Sequence, residues 1–486
     1  MYKKRKHIHF MGIGGIGMSG IAEILKLQGY TVSGCDSSSQ SKILTHLKKI
    51  GCTIYDKHNK NHINNTDVLV YSSAINKQNE EIYAALEKGI PVIPRAIMLA
   101  ELMRMKYSIA VAGAHGKTTT TSIISHILIK ANFDPTIIIG GILKNISSNV
   151  KLGDSDLLIA EADESDRSLL YLNPSIAVVT NIDAEHLDTY KNINDIKQTF
   201  KNFLARLPFF GKAFLCIDDP NIKEILPLPH IETIKYGFDE NSDIIGKIIK
   251  LEKTKSIFDV YINKNTAFYK EIYNHIKDIF KSKKNKLQNK IKLGRIILNM
   301  PGKHNISNSL AAIAVSLDIE VPFEKIKNAL KNFKGVERRF EFKGNFRGTD
   351  IFDDYGHHPT EIKNTLKIAQ KRTLKNLHVI FQPHRFSRTQ KLWNDFVETF
   401  ANNKKIKTLY IANIYPASEK PIENVNSKNL VKDIKKKNPH INIFYCSSYE
   451  KIYQEIKKHL NAGDLLITIG AGKINKVGEE LIKMKN

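Results

Sequence analysis

The sequence IAVAGAHGKTTTT, residues 109–121, decides the fold of this chain. An apolar run enters a glycine-rich turn, and the spacing of isoleucine and leucine after the turn predicts a helix with one buried face. Backbone N–H groups of such a turn approach phosphate at the helix N-terminus. Lys117 adds a positive charge, and Thr118 adds a hydroxyl that can bind Mg²⁺. The stretch therefore predicts a P-loop for a triphosphate, although Val111 stands where the full pattern has its first glycine.

A second glycine-rich turn, GIGGIG at residues 12–17, follows another apolar run nearer the N-terminus. Asp36 lies beyond it at the end of the next predicted strand, where dinucleotide-binding domains place an acid on a ribose hydroxyl. NAD is one interpretation, but the sequence offers no nicotinamide site with its own acid–base residues, and another nucleotide diphosphate fits equally well. The two turns together indicate an ATP-driven enzyme that acts on a nucleotide-carrying substrate, rather than an oxidoreductase.

Acidic residues follow two strands of the predicted central sheet. The loop EADESD, residues 161–166, comes directly after an apolar strand, and residues 181–188 follow the next one. Carboxylates packed this closely repel one another unless a cation lies among them, and Mg²⁺ prefers such hard oxygens. Both loops should project from the sheet edge at which open α/β sheets bind ligands. A solvated acidic loop is the alternative.

Two further motifs lie in the last third of the chain. In DDYGHHP, residues 353–359, two histidines stand beside two aspartates, but adjacent histidines rarely share one metal ion. In QPHRFSR, residues 382–388, Arg385 and Arg388 follow a predicted strand and could grip a carboxylate. An ordinary basic surface turn explains the second motif as well as a carboxylate site does.

Composition limits the classes of protein that the chain can belong to. Its 486 residues predict two to four domains, and the apolar runs are too short for a membrane span. The net charge is +25, but the lysines are spread along the whole length, which favours a solvated surface over a nucleic-acid site. The four cysteines are scattered without a C-x-x-C spacing, so we expect a reducing compartment and no structural zinc.

The order of apolar runs and helical patterns predicts three α/β domains in series. We place them at residues 1–106, 107–334 and 335–486, with a hinge near 335. After residue 237 the alternation weakens into lysine- and asparagine-rich sequence, and residues 264–290 are predicted to be a charged, partly helical insertion.

At this point the chain resembles the Mur ligase family, essentially from end to end except around residues 240–295. The resemblance rests on many motifs in one order: GIGGIGMSGIA (12–22), SSAI (72–75), GAHGKTTTT (113–121), EADESD (161–166), HLDTY (186–190), MPGKHNISN (300–308), VERRF (336–340), DDYGHHPTEI (353–362), FQPHRFSRT (381–389) and GAG (470–472). Ala114 departs from the usual threonine of the family's P-loop, and Lys473 stands where an aspartate is common.

The resemblance implies a three-domain architecture: a Rossmann-like N-terminal domain, a central P-loop ATPase-like α/β domain and a C-terminal Rossmann-like α/β domain. It also implies an ATP- and Mg²⁺-dependent ligase that joins L-alanine to the carboxylate of UDP-N-acetylmuramate through an acyl phosphate. The FQPHR segment favours this alanine-adding activity; the alternative is the relative that recycles UDP-muramoyl-peptide. We expect a cytoplasmic bacterial enzyme, monomeric or homodimeric, without nucleic-acid or membrane partners.

Site residues carried over from the family fall into four groups. The UDP part of the substrate would be held by Gly12, Gly14, Gly15, Gly17, Asp36 and Ser73. ATP would contact Gly113, Ala114, His115, Gly116, Lys117, Thr118, Thr119, His304, Asn305, Asn308, Arg338, Asp354, Tyr355 and His357. The metal ligands would be Thr118, Glu161 and His186, with placement of the muramoyl carboxylate as the alternative role of His186. The amino acid would be bound by His384, Arg385 and Arg388.

Within these groups, the resemblance gives catalytic roles to Lys117, His186, Arg385 and Arg388. Some relatives carry a carbamylated lysine after the His-Leu-Asp segment, but neither Lys197 nor Lys201 can be assigned that role from the sequence.

Overall fold

The computed structural model describes residues 7–36, 42–72, 75–76, 78–143, 148–185, 189–252, 254–277, 286–287, 289–417 and 419–484. Ser73 and His186, both predicted site residues, lie outside these ranges. The chain divides into two compact units between Lys334 and Gly335. Among the described residues, no helix combines the length and the apolar character needed to cross a membrane.

The first domain is a parallel sheet whose short strands alternate with helices. Its elements are β1 (His7–Met11), α1 (Ile16–Leu27), β2 (Thr31–Cys35), α2 (Lys42–Lys49), β3 (Thr53–Tyr55), a 3₁₀ helix (Lys60–Ile63), β4 (Val68–Tyr71), α3 (Glu80–Glu87), β5 (Val92–Pro94) and α4 (Arg95–Arg104). The described strands lie in the order β3-β2-β1-β4-β5. β2 and β3 lie on one side of β1, and β4 and β5 lie on the other. The strand order therefore reverses at β1, and the glycine-rich turn after β1 lies at a topological switch point, where such sheets bind ligands.

The central domain is built on a larger mixed sheet. Its elements are β6 (Tyr107–Ala112), α5 (Lys117–Lys130), β7 (Thr136–Leu143), β8 (Ser148–Lys151), β9 (Leu157–Glu161), a 3₁₀ helix (Ser168–Tyr171), β10 (Ile176–Val179), α6 (Ile193–Leu204), β11 (Lys212–Cys216), α7 (Pro220–Ile225), β12 (Glu232–Gly237), β13 (Ile244–Leu251), β14 (Ser256–Asn263), α8 (Ala267–Ile276), β15 (Lys286–Leu287), β16 (Lys290–Leu298), α9 (Lys303–Asp318) and α10 (Phe323–Lys331). Its described strands lie in the order β15-β16-β14-β13-β12-β11-β10-β6-β9-β7-β8. β6 is buried between β9 and β10, both parallel to it, so the P-loop and the two acidic loops leave the same edge.

The region in which the sequence pattern weakens continues this sheet. β13, β14 and β16 form an antiparallel extension, and β13 joins it to the parallel part through a short pairing with β12. The predicted insertion contains the helix α8, whose apolar side chains are buried, while residues 278–285 and 288 lie outside the described ranges.

The second compact unit is an α/β domain with a core on each face of its sheet. Its elements are β17 (Glu341–Phe346), β18 (Thr349–Asp354), α11 (Pro359–Arg372), β19 (Leu377–Phe381), α12 (Phe386–Lys391), α13 (Trp393–Ala401), β20 (Ile406–Ala412), α14 (Ser427–Lys437), β21 (Ile443–Cys446), α15 (Tyr449–Ile456), β22 (Leu465–Ile469) and α16 (Asn475–Lys483). The described strands lie in the order β17-β18-β22-β19-β20-β21, and all pairs except the β17–β18 hairpin are parallel. The DDYG, QPHR and GAG motifs therefore meet at one sheet edge, since each follows or ends β18, β19 or β22.

Candidate active site

The P-loop has a shape that only glycine permits at two of its positions. Gly113 and Gly116 adopt φ values of +133° and +86°. A Cβ atom at Gly113 would lie 2.1 Å from Thr180 Oγ1, and one at Gly116 would lie 2.6 Å from Asn308 Oδ1. The turn is therefore packed on both sides, and its backbone is held at the N-terminus of α5 in the geometry that binds phosphate.

Two residues at the end of β10 fix the middle of this turn. The backbone N–H of His115 donates to Asn181 Oδ1 at 2.8 Å. In return, its carbonyl accepts from Asn181 Nδ2 at 2.9 Å and from Thr180 Oγ1 at 2.6 Å. Neither residue had a predicted role, although their position directly after a strand next to β6 was the signal present in the sequence.

Lys117 lies at the start of α5 and is paired with a carboxylate. Its Nζ lies 2.7 Å and 2.8 Å from the two carboxylate oxygens of Glu164, and 2.7 Å from the carbonyl oxygen of Gly113. The Glu164 side chain is 3% exposed, so the ion pair is largely desolvated. Glu164 belongs to the predicted EADESD loop, but the sequence analysis did not single it out as the partner of the lysine.

The ionisation of this pair follows from burial and charge. Burial by itself lowers the pKa of Lys117, but the carboxylates of Glu164 and Asp163 outweigh it, so the pKa of the lysine is raised. Burial raises the pKa of Glu164 more than Lys117 lowers it. Lys117 therefore keeps its proton, and Glu164 is the group that is costly to leave without a cation.

Thr118 and Glu161 provide hard oxygen atoms beside the P-loop. Thr118 Oγ1 donates to Glu161 Oε2 at 3.2 Å, and the other carboxylate oxygen accepts from the backbone N–H of Gly140 at 2.9 Å. A hydroxyl and a carboxylate next to a phosphate-binding turn are the donor set that Mg²⁺ uses with nucleotides. The residues fit the metal that the sequence predicts.

The second acidic loop reaches the same turn. Asp183 Oδ2 lies 3.3 Å from His115 Nε2, and Glu185 Oε1 lies 3.5 Å from His115 Nδ1. Both acidic loops thus lie at one edge of the sheet, as the strand order requires. Carboxylates at this place hold the imidazole of the P-loop histidine in position.

The helix α9 brings the predicted nucleotide residues of the MPGKHNISN motif to the site. It packs against α5, and Asn308 is buried next to Gly116. Asn305 is also buried, and its side-chain amide donates to the carbonyl of Pro301 at 2.7 Å. His304 is exposed at the start of the same helix.

The last residue of β2 and the residue after it form hydrogen bonds to the first glycine-rich turn. The carbonyl of Cys35 accepts from the N–H groups of Gly12 and Ile13 at 2.8 and 3.2 Å. Asp36 Oδ2 accepts from the N–H of Gly14 at 2.8 Å. Because a Cβ at residue 14 would lie 2.7 Å from this oxygen, Asp36 both shapes the turn and requires the glycine. One oxygen of Asp36 is therefore used within the protein.

Arg95, which the sequence analysis did not identify, lies between the first turn and the EADESD loop. Its Nη1 would be 3.2 Å from a Cβ at Gly17, and its Nη2 lies 4.0 Å from Asp163 Oδ2. The side chain is 25% exposed. A half-buried guanidinium here can bind a diphosphate or a carboxylate held between the two loops. Its position at the start of α4, directly after β5, was the signal available in the sequence.

In the second unit, Arg338 is held by three partners. Nε donates to Asp353 Oδ2 at 2.8 Å, Nη2 to the carbonyl of Gly470 at 2.6 Å and Nη1 to that of Gly472 at 3.0 Å. These bonds tie the VERRF, DDYG and GAG motifs together. Arg338 thus orders this edge of the sheet, and its predicted contact with the nucleotide remains a prediction.

Asp354 is buried beside this edge, and the neighbouring His357 side chain is half-buried. Asp354 accepts from the N–H groups of Phe340 and Gly356, both at 2.8 Å, and from Thr365 Oγ1 at 3.0 Å. Burial nevertheless raises its pKa to about 6. Burial lowers the pKa of His357 to about 3, so this imidazole is neutral. The Tyr355 ring lies edge-on to His357, with ring centroids 5.6 Å apart, so the three predicted residues form one cluster.

The predicted amino-acid site forms around α12. His384 stacks on Tyr415 with ring centroids 5.4 Å apart, and its Nδ1 lies 3.3 Å from Arg388 Nη1. Burial, together with the charges of Arg388 and Arg385, lowers the pKa of His384 to about 4. A neutral His384 can therefore accept from Arg388 and orient it. Arg385 is exposed and has a φ of +72°, a strained conformation for a residue with a Cβ.

Comparison with known proteins supports one family along most of the chain. Residues 7–107 match the model of the Mur ligase family, catalytic domain; residues 111–316 match the Mur ligase middle domain; and residues 338–472 match the Mur ligase, glutamate ligase domain. The UDP-N-acetylmuramate–L-alanine ligase of Desulfatibacillum aliphaticivorans is 46% identical over 487 aligned residues, which cover 100% of both chains.

Solved structures agree on the fold. The UDP-N-acetylmuramate–alanine ligase of Thermotoga maritima superposes with a TM-score of 0.77 at 22% identity, covering 98% of both chains. A murein peptide ligase from Psychrobacter arcticus gives 0.68 at 23% identity, with the same coverage. These likenesses confirm the predicted three-domain α/β architecture, and the chain belongs to the Mur ligase family.

Proposed function

We propose that the protein is an ATP-dependent ligase that joins L-alanine to the carboxylate of UDP-N-acetylmuramate, releasing ADP and phosphate, in the synthesis of peptidoglycan precursors. The observation that carries the proposal is the P-loop of β6 and α5, with Lys117 and the Thr118–Glu161 pair at one sheet edge. The relative at 46% identity over the full length, named for this reaction, supports the choice of substrates.

ATP would bind with its phosphates on the 113–119 turn, where Lys117 exchanges Glu164 for phosphate oxygens. The lysine then neutralises charge on the transferred phosphoryl group, which is the main contribution a P-loop makes to catalysis. Asn308 lies against Gly116, and with His304 and Asn305 it would border the nucleotide from α9. Arg338, Asp354, Tyr355 and His357 would contribute from the second unit.

Thr118 and Glu161 would hold Mg²⁺, with His186 as the further ligand implied by the family. When bound, Mg²⁺ supplies charge neutralisation for the phosphates. The hydroxyl of Thr118 points at the carboxylate of Glu161, and the Gly140 N–H fixes the other oxygen of that carboxylate. This chain therefore presents a positioned pair of oxygens rather than a solvated acidic loop.

The UDP part of the substrate would bind at the first glycine-rich turn, near Gly12, Gly14, Gly15, Gly17, Asp36 and Ser73. The muramoyl carboxylate attacks the γ-phosphorus of ATP, the bond to ADP breaks, and an acyl phosphate forms. The amine of L-alanine then attacks the acyl carbon, and phosphate leaves from a tetrahedral intermediate. Positioning and electrostatics can lower both barriers without a covalent enzyme intermediate.

Arg385 and Arg388 would bind the carboxylate of L-alanine, with His384 beside them. The geometry supports this because neutral His384 is stacked on Tyr415 and its Nδ1 lies 3.3 Å from Arg388 Nη1, so the histidine orients the guanidinium without neutralising its charge. A cytoplasmic location follows from the proposed reaction, since ATP and the nucleotide substrate are made in that compartment.

The test is the release of phosphate by the Lys117→Ala variant, with Lys130→Ala as the matched control. Both lysines lie on α5, but Lys130 is exposed at its far end. We expect Lys117→Ala to lower kcat at least about 1000-fold, since the positive charge that neutralises the transferred phosphoryl group is removed. The Lys130→Ala variant should retain wild-type activity. Ligation by Lys117→Ala at the wild-type rate would disprove the P-loop assignment.

A further inference from the structure

Side chains of the types that bind metals cluster near the first glycine-rich turn, outside the site described above. His9 lies on β1, Cys35 ends β2, and Glu81 lies in the first turn of α3. His58 lies just before the 3₁₀ helix Lys60–Ile63, and His62 lies within it. The side chains of His9 and Glu81 are 0% exposed, and Cys35 is fully buried as well. None of these residues has a role in the proposed reaction.

Three ligand atoms of the cluster form a nearly equilateral triangle. Cys35 Sγ lies 3.1 Å from His58 Nδ1 and 3.2 Å from Glu81 Oε2, and the last two atoms are 3.0 Å apart. Zinc bonds of about 2.0–2.3 Å place tetrahedral ligands about 3.3–3.8 Å from one another. To hold an ion, the three ligand atoms therefore need to move apart by only a few tenths of an ångström.

His9 is the fourth candidate ligand. Its Nε2 lies 3.7 Å from Glu81 Oε1 and is buried, with no hydrogen-bond partner among the residues the structure describes. Its Nδ1 is held by Ser33 Oγ at 2.7 Å. When Nδ1 donates to that hydroxyl, Nε2 presents its lone pair to the cluster. A hydroxyl that hydrogen-bonds to the other ring nitrogen in this way fixes the tautomer and orientation of a histidine ligand.

Glu81 is oriented in the same manner. Its Oε1 accepts from His62 Nδ1 at 2.8 Å and from the backbone N–H of Asn59 at 3.0 Å, which leaves Oε2 facing the thiol and His58. Hydrogen bonds from histidines, a backbone N–H and the thiol hold the pKa of Glu81 well below its usual range against the opposing effect of burial. The carboxylate is thus a buried anion, and burying an anion favours a nearby cation.

We propose that this cluster is a binding site for a thiophilic divalent cation of the Zn²⁺ class, with the ligands His9, Cys35, His58 and Glu81. One thiolate, two imidazoles and one carboxylate are a donor set that Zn²⁺ accepts and that Mg²⁺ disfavours. On binding, the Cys35 thiol loses its proton to solvent as the sulfur–metal bond forms. His58, whose side chain is 34% exposed, provides the route of entry.

The position of the site gives the ion a structural consequence. Cys35 accepts the Gly12 and Ile13 N–H groups through its own carbonyl, and the next residue, Asp36, accepts that of Gly14. A metal on Cys35 Sγ would therefore stiffen the strand end that shapes the first glycine-rich turn.

The test uses the full chain, stripped with a chelator and titrated with Co²⁺ and then with Zn²⁺, without ATP or other substrates. Thiolate-bound Co²⁺ gives a charge-transfer band in the near ultraviolet, and elemental analysis counts the bound ion. We expect one equivalent of metal, with the band abolished in Cys35→Ser and retained in Cys52→Ser, a matched buried cysteine of the same domain outside the cluster. Because no substrate is present, failure of the proposed ligase reaction would not affect this result.

If Cys35→Ser does not fold, His58→Ala provides a second test of the metal site. His58→Ala removes a ligand at the half-exposed rim and should weaken Co²⁺ binding at least about tenfold. Absence of stoichiometric binding to the wild-type chain would overturn the proposal. So would a charge-transfer band that survives Cys35→Ser, or wild-type affinity in His58→Ala, because either result would place the ion elsewhere.

Discussion

Lys117 has two possible partners, the carboxylate of Glu164 in this structure and the phosphates of a bound nucleotide. The choice matters because Glu164 is nearly inaccessible to water. Binding a nucleotide must compensate for releasing this carboxylate from its cation. The P-loop could be predicted from residues 109–121 because it is local. The Glu164 pairing could not, because it joins positions 47 residues apart that only the sheet brings together.

A double-mutant cycle tests this pair. Lys117→Ala leaves a buried carboxylate without its cation, which should cost about 3 kcal/mol of local stability in the nucleotide-free protein. Adding Glu164→Gln removes the charge and should restore most of that loss. Hydrogen exchange over residues 113–130 measures the effect. Equal protection in the single and double variants would show that the pair is not coupled.

Arg95 is predicted to act on the nucleotide substrate rather than on ATP. Arg95→Ala should raise the KM for UDP-N-acetylmuramate at least about tenfold, since a charge-assisted contact is lost, while the KM for ATP stays within about twofold. Steady-state kinetics with each substrate varied in turn provide the measurement. Arg104→Ala is the control, because that arginine lies at the far end of the same helix and pairs with Glu101 at 2.9 Å on the surface. Equal changes for both substrates would argue against the assignment.

Strands made of a continuous apolar run were predicted well, and short or lysine-rich strands were not. The apolar runs predicted before the two glycine-rich turns and before the EADESD loop are the strands β1, β6 and β9. β3 was missed because it is short and only partly buried. β13 was missed because its second half mixes lysines with apolar residues and is largely exposed, in an antiparallel extension where one face meets water. The parallel strands were identified by continuous runs of buried apolar residues, and β13 lacks such a run in its second half.

The scattered cysteines show the same limit. Spacing along the chain predicted no structural zinc, and this stays a prediction; the fold nevertheless brings Cys35 close to His9, His58 and Glu81, which are far from it in the sequence. A site whose ligands come one by one from separate elements leaves no motif in the sequence.

Around α12 and the DDYG turn, ionisation predicts how stability depends on pH. His384 has a folded pKa of about 4 against its usual 6.5, so the unfolded chain binds the proton more readily. The contribution of His384 is therefore complete above pH 6.5 and is lost as the pH falls toward 4. His357, with a pKa of about 3, acts in the same direction. Asp354 acts oppositely, because its folded pKa of about 6 lets the native state keep a proton.

The expected result is a C-terminal unit that loses stability between pH 6.5 and 4.5, with a shallower loss in His384→Gln. The difference in slope should be at most about 1 kcal/mol per pH unit, since His384 is only partly buried. Urea unfolding followed by tryptophan fluorescence is specific here, because Trp393 is the only tryptophan and lies on α13. An unchanged or steeper slope in the variant would contradict the neutral state assigned to His384.

The whole molecule combines three sheet edges that carry predicted binding residues in one chain. Those of the first two domains lie in the unit that ends at Lys334, and the third lies in the unit that begins at Gly335. The family and its α/β architecture could be predicted because many motifs occur in one order along the full length. The roles of single residues could not be settled in this way, and the hinge near residue 335 remains a prediction.

The most direct test of the ligase proposal is phosphate release by the purified full chain in complete and incomplete substrate mixtures. With Mg²⁺, ATP and UDP-N-acetylmuramate present, we predict release only when an amino acid is added, and fastest with L-alanine. Omission of any one substrate should reduce the rate to background. Release that requires an alanine-containing peptide in place of L-alanine would assign the recycling reaction instead, and release independent of UDP-N-acetylmuramate would contradict the proposed function.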